Sequence, residues 1–378
     1  MEDLEKQETK IEEDKKENEI NGYINNPFST KDIKITPITM ALPSLINKLK
    51  YDEIDLNPDF QRHGDLWSPT NMSRLIESIL LKLPLPIFYF DVSNPDKWIV
   101  VDGLQRLSTI KKFMVDKKLK LKNLEFLEEL DGKSYDDLDR GFYRIFENTQ
   151  IVTYQIEAQT PKKVRYSIFN RLNTGGMPLN AQEIRQALNQ QAKGVRFLIE
   201  CAESDVFRNI VSVPAKRMLD RELVLRFMSF KLSPNATNEF PFNNMGEFLD
   251  EAMEKLDNIT DDEKLKELRN NLFETLEFSE KILGEKHRFS RSIGKTEKTN
   301  TLNRSLFDVL TVCLSEINDK EKFILKKDNF KNKLSKLLQD ESSDFSRAIT
   351  EGTSGKGAIE KRFEIMKELV EEVINENW

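Results

Sequence analysis

Cysteine and histidine are almost missing from this chain. Its two cysteines, Cys201 and Cys313, cannot build a disulfide framework or a Cys-rich zinc site. His63 and His287 are the only histidines. Zinc-protease, zinc-finger and HNH-nuclease motifs all need more His, or His plus Cys, at close spacing, so those classes are excluded. A Ser-His-Asp triad would have to use one of these two histidines, and neither sits in a recognisable nucleophile setting. No run approaches the ~20 apolar residues of a membrane span, and the polar N-terminus lacks the apolar stretch of a secretory signal. A cytoplasmic protein with no membrane contact is the expectation.

Charge, by contrast, is abundant. The 378 residues carry 58 Lys+Arg against 65 Asp+Glu, a net charge of −7, and charged side chains make up 33% of the chain. That length is ample for a core and allows roughly two to three domains. The many carboxylates leave a Mg²⁺ site open even though zinc chemistry is closed. Residues 1–20 hold nine acids and four lysines and few apolar groups, so residues 1–34 read as a disordered acidic tail.

The pattern becomes globular from about residue 37. Leu42, Leu45, Ile46 and Leu49 predict a short amphipathic helix. Ser68-Pro69 is a good cap and first-turn pair for a second, whose apolar stripe is Met72, Leu75, Ile76, Ile79 and Leu80 until Pro84 stops it. Ile87–Phe90 and Trp98–Val101 read as strands separated by a Ser-Asn-Pro-Asp turn. A helix opens after Asp102-Gly103, with Leu107, Ile110 and Met114 facing inward. Gln150–Ile156 is a further strand, followed by helices over 161–172 and 181–189. Asn180 with Glu183 three residues later is a capping pair for the last of these. Beyond residue 195 only helical signals remain, led by the stripe Leu219, Leu223, Phe227, Phe230. The expected architecture is an α/β (α+β) domain over 35–194 followed by a mostly α-helical domain over 195–378.

The segment richest in chemistry is Trp98-Ile-Val-Val-Asp-Gly-Leu-Gln-Arg-Leu-Ser-Thr-Ile110. A buried strand delivers Asp-Gly onto a helix N-terminus, where free N–H groups suit a phosphate. Gly103 permits close backbone approach, Arg106 adds a cationic fork, Ser108 and Thr109 add hydroxyls, and Asp102 could hold Mg²⁺ or act as a base. The bland alternative is that Asp102 caps the helix and Arg106 pairs with it; on physics alone that alternative has more weight. Phe60-Gln61-Arg62 with Trp67 offers a second guanidinium and an aromatic surface, or else a salt bridge and a core tryptophan. Arg171, Asn173 and Thr174 flank Gly175-Gly176, either a polar ligand-reading turn or a plain helix C-cap. Gly352–Gly357 has the wrong spacing for a phosphate-binding P-loop. The stretch 281–304, at +5, reads as a solvated basic loop.

Four ordered blocks carry a family resemblance: Gln61-Arg62 with Trp67; Asp102-Gly103-Leu104-Gln105-Arg106-Leu107-Ser108-Thr109; Asn173-Thr174-Gly175-Gly176 with Pro178-Leu179; and Lys216–Glu222 leading into Leu225-Arg226-Phe227. Together they resemble the domain of unknown function 262 (DUF262) family, the N-terminal half of GmrSD-type type IV restriction endonucleases, within the ParB/sulfiredoxin-like superfamily. The resemblance spans about residues 35–230. It implies nucleotide-dependent action on DNA in anti-phage defence, with Asp102, Gln105 and Arg106 as catalytic residues. Gln61, Arg62, Gly103, Ser108, Thr109, Arg171, Asn173 and Thr174 become nucleotide- or phosphate-binding residues, with Mg²⁺ on Asp102 and a nucleoside triphosphate as substrate or ligand. Leu104 stands where the family usually has its first Gln, and the histidine count leaves no HNH nuclease.

Three functions follow. The first is a Mg²⁺-dependent nucleoside triphosphatase coupled to sensing or restricting foreign DNA. The second is a non-catalytic nucleotide- or DNA-sensing module that acts with a nuclease or other effector chain. The third is a DNA nickase at the same site, against which the net charge of −7 weighs mildly. Superfamily analogy adds a possible homodimer.

Overall fold

The computed structural model describes residues 10–11, 30–56, 67–172, 180–189, 192–284, 289–294 and 301–376. The chain divides into two compact units, Ile24–Leu188 and Asn189–Trp378, the second taking in Lys10–Ile11. Most of the expected acidic tail lies outside the described residues.

Two short strands, β1 (Lys10–Ile11) and a late Thr301–Leu302 segment, pair in parallel in the helical unit. The other unit is built on β2 (Ile35–Ala41), β3 (Ile54–Asp55), β4 (Phe88–Asp91), β5 (Trp98–Asp102) and β6 (Gln150–Ile156). These form one mixed sheet in the order β2-β6-β4-β5-β3. β2 runs antiparallel to β6, β6 parallel to β4, β4 antiparallel to β5, and β5 parallel to β3.

One face of the sheet packs on α1 (Leu42–Lys50), α2 (Pro69–Leu80), α3 (Leu104–Ile110) and α4 (Arg140–Asn148), where Leu42, Leu45, Ile76, Phe88, Phe90, Leu107 and Phe113 are buried. The apolar spacing that predicts α1 and α2 is the spacing buried here. Ser68 Oγ accepts the Asn71 N–H at 3.2 Å, and Pro69 occupies the first turn where its missing N–H costs nothing. Trp67 packs against this core as well. The helix after Gly103 widens into a π turn over Lys111–Val115 that buries Phe113 and Met114. On the far side, α5 (Lys162–Leu172) and α6 (Ala181–Leu188) follow β6. Asn180 and Glu183 form the expected capping box: Asn180 Oδ1 accepts the Glu183 N–H at 2.9 Å, and Glu183 Oε2 accepts the Asn180 N–H at 2.6 Å.

The remainder is helical: α7 (Lys193–Glu203), α8 (Asp205–Ile210), α9 (Leu219–Leu232), α10 (Met245–Asp257) and α11 (Asp262–Leu283) precede β7 (Thr301–Leu302). After it come α12 (Arg304–Ser315), α13 (Lys320–Leu325), α14 (Lys327–Gln339), α15 (Asp344–Thr350) and α16 (Lys356–Asn375). Every residue from Ser305 to Leu314 is buried, so α12 is the central helix of this unit. Its Asp308, fully buried, receives Arg226 of α9 in a two-pronged pair at 2.9 and 2.7 Å and Arg362 of α16 at 3.2 Å. Three helices are thereby tied to one carboxylate. Arg362 also donates to the Thr353 carbonyl, which fastens the Gly352–Gly355 turn to the start of α16. Cys201 and Cys313 pack in this core as small apolar residues, and burial pushes the Cys201 thiol up to about 12. Among the described residues no helix is long and apolar enough to cross a membrane.

Candidate functional site

The β5–α3 junction is shaped by a register shift. Phe90 pairs with Val100, but the next residue back, Tyr89, pairs with Asp102, so β5 carries Val101 as an extra residue. Such a bulge re-aims the side chain that follows it. Gly103 comes next with φ +101°, a conformation that L side chains rarely adopt. A Cβ at this position would lie 2.5 Å from the Phe88 ring and 3.3 Å from Arg106 Nη2. Glycine is therefore required twice here, by the backbone turn and by the closeness of its neighbours.

Arg106, only 8% exposed, folds back under this turn. Its Nη2 donates to Asp102 Oδ2 at 2.7 Å, its Nη1 donates to the carbonyls of Pro86 and Ile87, and its guanidinium lies over the Phe88 ring at 4.5 Å. Burial lowers the Arg106 pKa from its usual value while Asp102 counters that pull; an arginine remains charged throughout. The Asp102 side chain is 35% exposed. One carboxylate oxygen is thus fixed by a buried cation while the carboxylate stays open to solvent. The cap residue is Gly103 rather than Asp102. The local pairing foreseen as the bland alternative does form, and it orients Asp102 instead of covering it.

The neighbouring positions divide in two. Gln105 Oε1 accepts the Trp67 N–H at 3.3 Å, which ties the start of α2 to this turn. Thr109 is fully buried, its hydroxyl donating back to the Gln105 carbonyl at 2.7 Å, so it is a helix-internal group. Ser108 is half-buried and Leu104 packs against the apolar core. Arg171 is exposed in the last turn of α5. Gln61, Arg62, Asn173 and Thr174 lie outside the described residues. Arg217 and Arg221 belong to the helical unit, where Arg217 and Met218 both adopt left-handed backbone and Arg221 N–H bonds Asp220 Oδ1 at 2.8 Å.

Sequence reasoning passed over a polar layer on the sheet's other face. Tyr89, opposite Asp102 on one side, is opposite Tyr154 on the other, and the two rings stack at 5.4 Å with 12° between planes. Asp91, two residues along, is 1% exposed; its Oδ2 accepts from Arg165 Nη1 of α5 at 3.0 Å, and Ser93 completes the group. Among the described residues Arg165 Nε, which is buried, has no hydrogen-bond partner. On α6, Gln182, Glu183, Arg185 and Gln186 are all buried, and Gln186 Nε2 also lacks a partner among the described residues. Charged and amide side chains are seldom buried this densely unless something polar is to be held. The usable sequence signal was α6 itself, where Gln182, Glu183, Arg185 and Gln186 crowd around the short apolar stripe Ala181, Ile184, Ala187.

Among the described residues no three His, Cys, Asp or Glu groups come together as a metal cage. Mg²⁺ does not require such a cage, because it keeps several waters and is commonly held by one or two carboxylates plus substrate phosphates.

Residues 42–189 match the family described as GmrSD restriction endonuclease, N-terminal domain. No curated protein and no solved structure matches the chain. The matched span ends where the helical unit begins.

Proposed function

We propose that this chain, whose residues 42–189 belong to the GmrSD restriction endonuclease N-terminal domain family, is a Mg²⁺-dependent nucleoside triphosphatase that serves restriction-type defence against foreign DNA. The observation that carries the reading is the Asp102 carboxylate, open on one side and held by the buried Arg106 guanidinium on the other. A carboxylate so fixed suits a metal–phosphate complex, because its orientation is set before substrate arrives. Mg²⁺, when bound, would neutralise phosphate charge. Asp102 would hold the ion or accept a proton from the attacking water. Arg106, with its donors directed at Asp102 and at two backbone carbonyls, acts as a positioning residue rather than as a phosphate ligand. Gln105 holds the start of α2 beside the turn, and the half-buried Tyr89–Tyr154 pair next to Asp102 offers a flat surface for a base.

The test is phosphate release from the full chain with ATP, GTP or CTP and Mg²⁺, with and without duplex DNA. Asp102→Asn should lower turnover by about 10²-fold or more, the usual scale for removing a positioned acid–base group, while the melting temperature shows the variant folded. Equal turnover in wild type and variant would overturn the assignment. A non-catalytic sensor acting with an effector chain is the second reading. It is favoured by Leu104, which turns into the core where a polar side chain would be wanted at the site. Nucleotide binding without release of phosphate under any condition would select it. Metal-dependent nicking of DNA, lost in Asp102→Asn, would select the nickase.

A further inference from the structure

The Asp102–Arg106 turn shares its end of the sheet with a separate cavity of about 550 Å³. Tyr89, at the start of β4, pairs with Asp102 at the end of β5, and β6 runs parallel to β4 with Phe88 opposite Thr153. Gln150, three residues before Thr153, therefore projects beyond β4 at that same end, by roughly 10 Å at ~3.3 Å per residue. Gln150 lines the cavity, together with Leu83, Leu85, Lys82, Arg144 and Asn148.

The lining contains two cations and no carboxylate, in a protein of net charge −7. Among the described residues neither Lys82 nor Arg144 has an ion pair. Glu147, the acid of α4, is engaged instead by Arg140 at 2.7 Å. Two other cavities among the described residues each mix lysines or arginines with Asp and Glu.

One wall, Leu83–Leu85, is apolar, and its shape is set by a helix ending. Lys82 takes left-handed backbone at φ +58° just past α2, and Leu83 N–H returns to the Ser78 carbonyl at 2.9 Å. In such an ending the residue after the left-handed one normally packs back on the helix. Leu83 does not: it is 52% exposed, on the cavity wall. Gly141 on the facing wall leaves open space where a side chain would stand. The cavity adjoins the candidate site through the chain itself, since Leu85 lines it and the next two carbonyls, Pro86 and Ile87, hold Arg106.

We infer that this cavity binds a phosphate ester bearing an apolar or aromatic group, with Lys82 and Arg144 on the phosphate and the Leu83–Leu85 wall under the organic part. The inference rests on the nucleotide reading above and extends it to a second phosphate position on the same side of the sheet. The volume is that of a small-molecule site, larger than an inorganic ion needs. Its chemistry is shared by a free nucleotide and by a nucleic-acid strand reaching the Asp102 turn, and the two sources are separable.

The experiment compares wild type with the double variant Lys82→Gln, Arg144→Gln, both exposed positions, in the full chain. One arm measures anisotropy of a 5′-labelled single-stranded oligonucleotide across a salt series; the other measures ATP and GTP binding by calorimetry. A strand in the cavity predicts about 10-fold or greater loss of oligonucleotide affinity. It also predicts a log–log salt slope shallower by roughly 0.7, for one lost phosphate contact, with mononucleotide binding unchanged. A free nucleotide there predicts the loss in the calorimetric arm. Unchanged binding in both arms, or no binding of either probe by wild type at low salt, overturns the inference. Failure of the triphosphatase reading looks different: no turnover in any protein, while the double variant still alters binding.

Discussion

Each unit buries an arginine against an aspartate, and the two arrangements differ in what they leave accessible. In the helical unit Asp308 is fully buried and is held by both Arg226 and Arg362. Its oxygens are taken by helices α9 and α16, and no ligand can reach it without unfolding the core. In the sheet unit Arg106 is nearly as buried, yet Asp102 has one arginine and a third of its side chain in solvent. A buried ion pair is thus no mark of a site by itself; the same two residue types build a staple in one place and an oriented, open carboxylate in the other. What decides is whether the acid sits in the middle of a central helix or at the end of a strand, after a bulge.

The contrast can be broken most severely at Asp308. Asp308→Ala leaves two buried guanidinium groups without their shared counterion and is expected to cost about 3–5 kcal/mol, read as a large drop in melting temperature. A third carboxylate sharpens the comparison because no arginine carries it. Glu77, 4% exposed, accepts three backbone N–H groups from Glu125, Phe126 and Leu127 at 2.7–3.1 Å. Burial alone would raise its pKa, but these donors, with Arg74 nearby, outweigh burial and hold the carboxyl below the ordinary range. The stabilisation is therefore full above the unfolded-state pKa of about 4.3 and disappears as pH falls through the lower folded value. Glu77→Gln should cost about 2 kcal/mol at neutral pH, and chemical denaturation in acid should show the difference from wild type shrinking. The smallest effect on stability belongs to Asp102→Asn. Arg106 keeps the Pro86 and Ile87 carbonyls and the Phe88 ring, so the loss is expected near 1 kcal/mol, with hydrolysis affected far more. A loss at Asp102 as large as that at Asp308 would make the two pairs alike and remove the reason for calling one of them a site.

How much of this was legible in the sequence follows from separation along the chain. The strands at Phe88–Asp91, Trp98–Asp102 and Gln150–Ile156 and helices α1 and α2 were visible because their patterns are local and apolar. β2 was not, because Pro37, Ile38 and Thr39 are exposed and the strand lies at the edge of its sheet, where a proline is tolerated. α4 was missed for a similar reason, since Phe146 is its one buried residue. At the site, Asp102 and Arg106 stand one helical turn apart, so their pairing could be foreseen. Asp91 and Arg165 are 74 residues apart, and Asp308 lies 82 from Arg226 and 54 from Arg362. No periodicity announces such partners.

By itself, then, the sequence determined the exclusions, the order of strands and helices, and the Asp-Gly-Leu-Gln-Arg turn, all of which depend on composition or on neighbours a few residues away. Tertiary structure alone decided that Arg106 turns inward to two carbonyls of the preceding loop, that a bulge at Val101 re-aims Asp102, and that Lys82 and Arg144 meet across one cavity. Those outcomes depend on strand register and on which helix end meets which loop. Register and packing are settled only when distant segments are brought together to bury a common core.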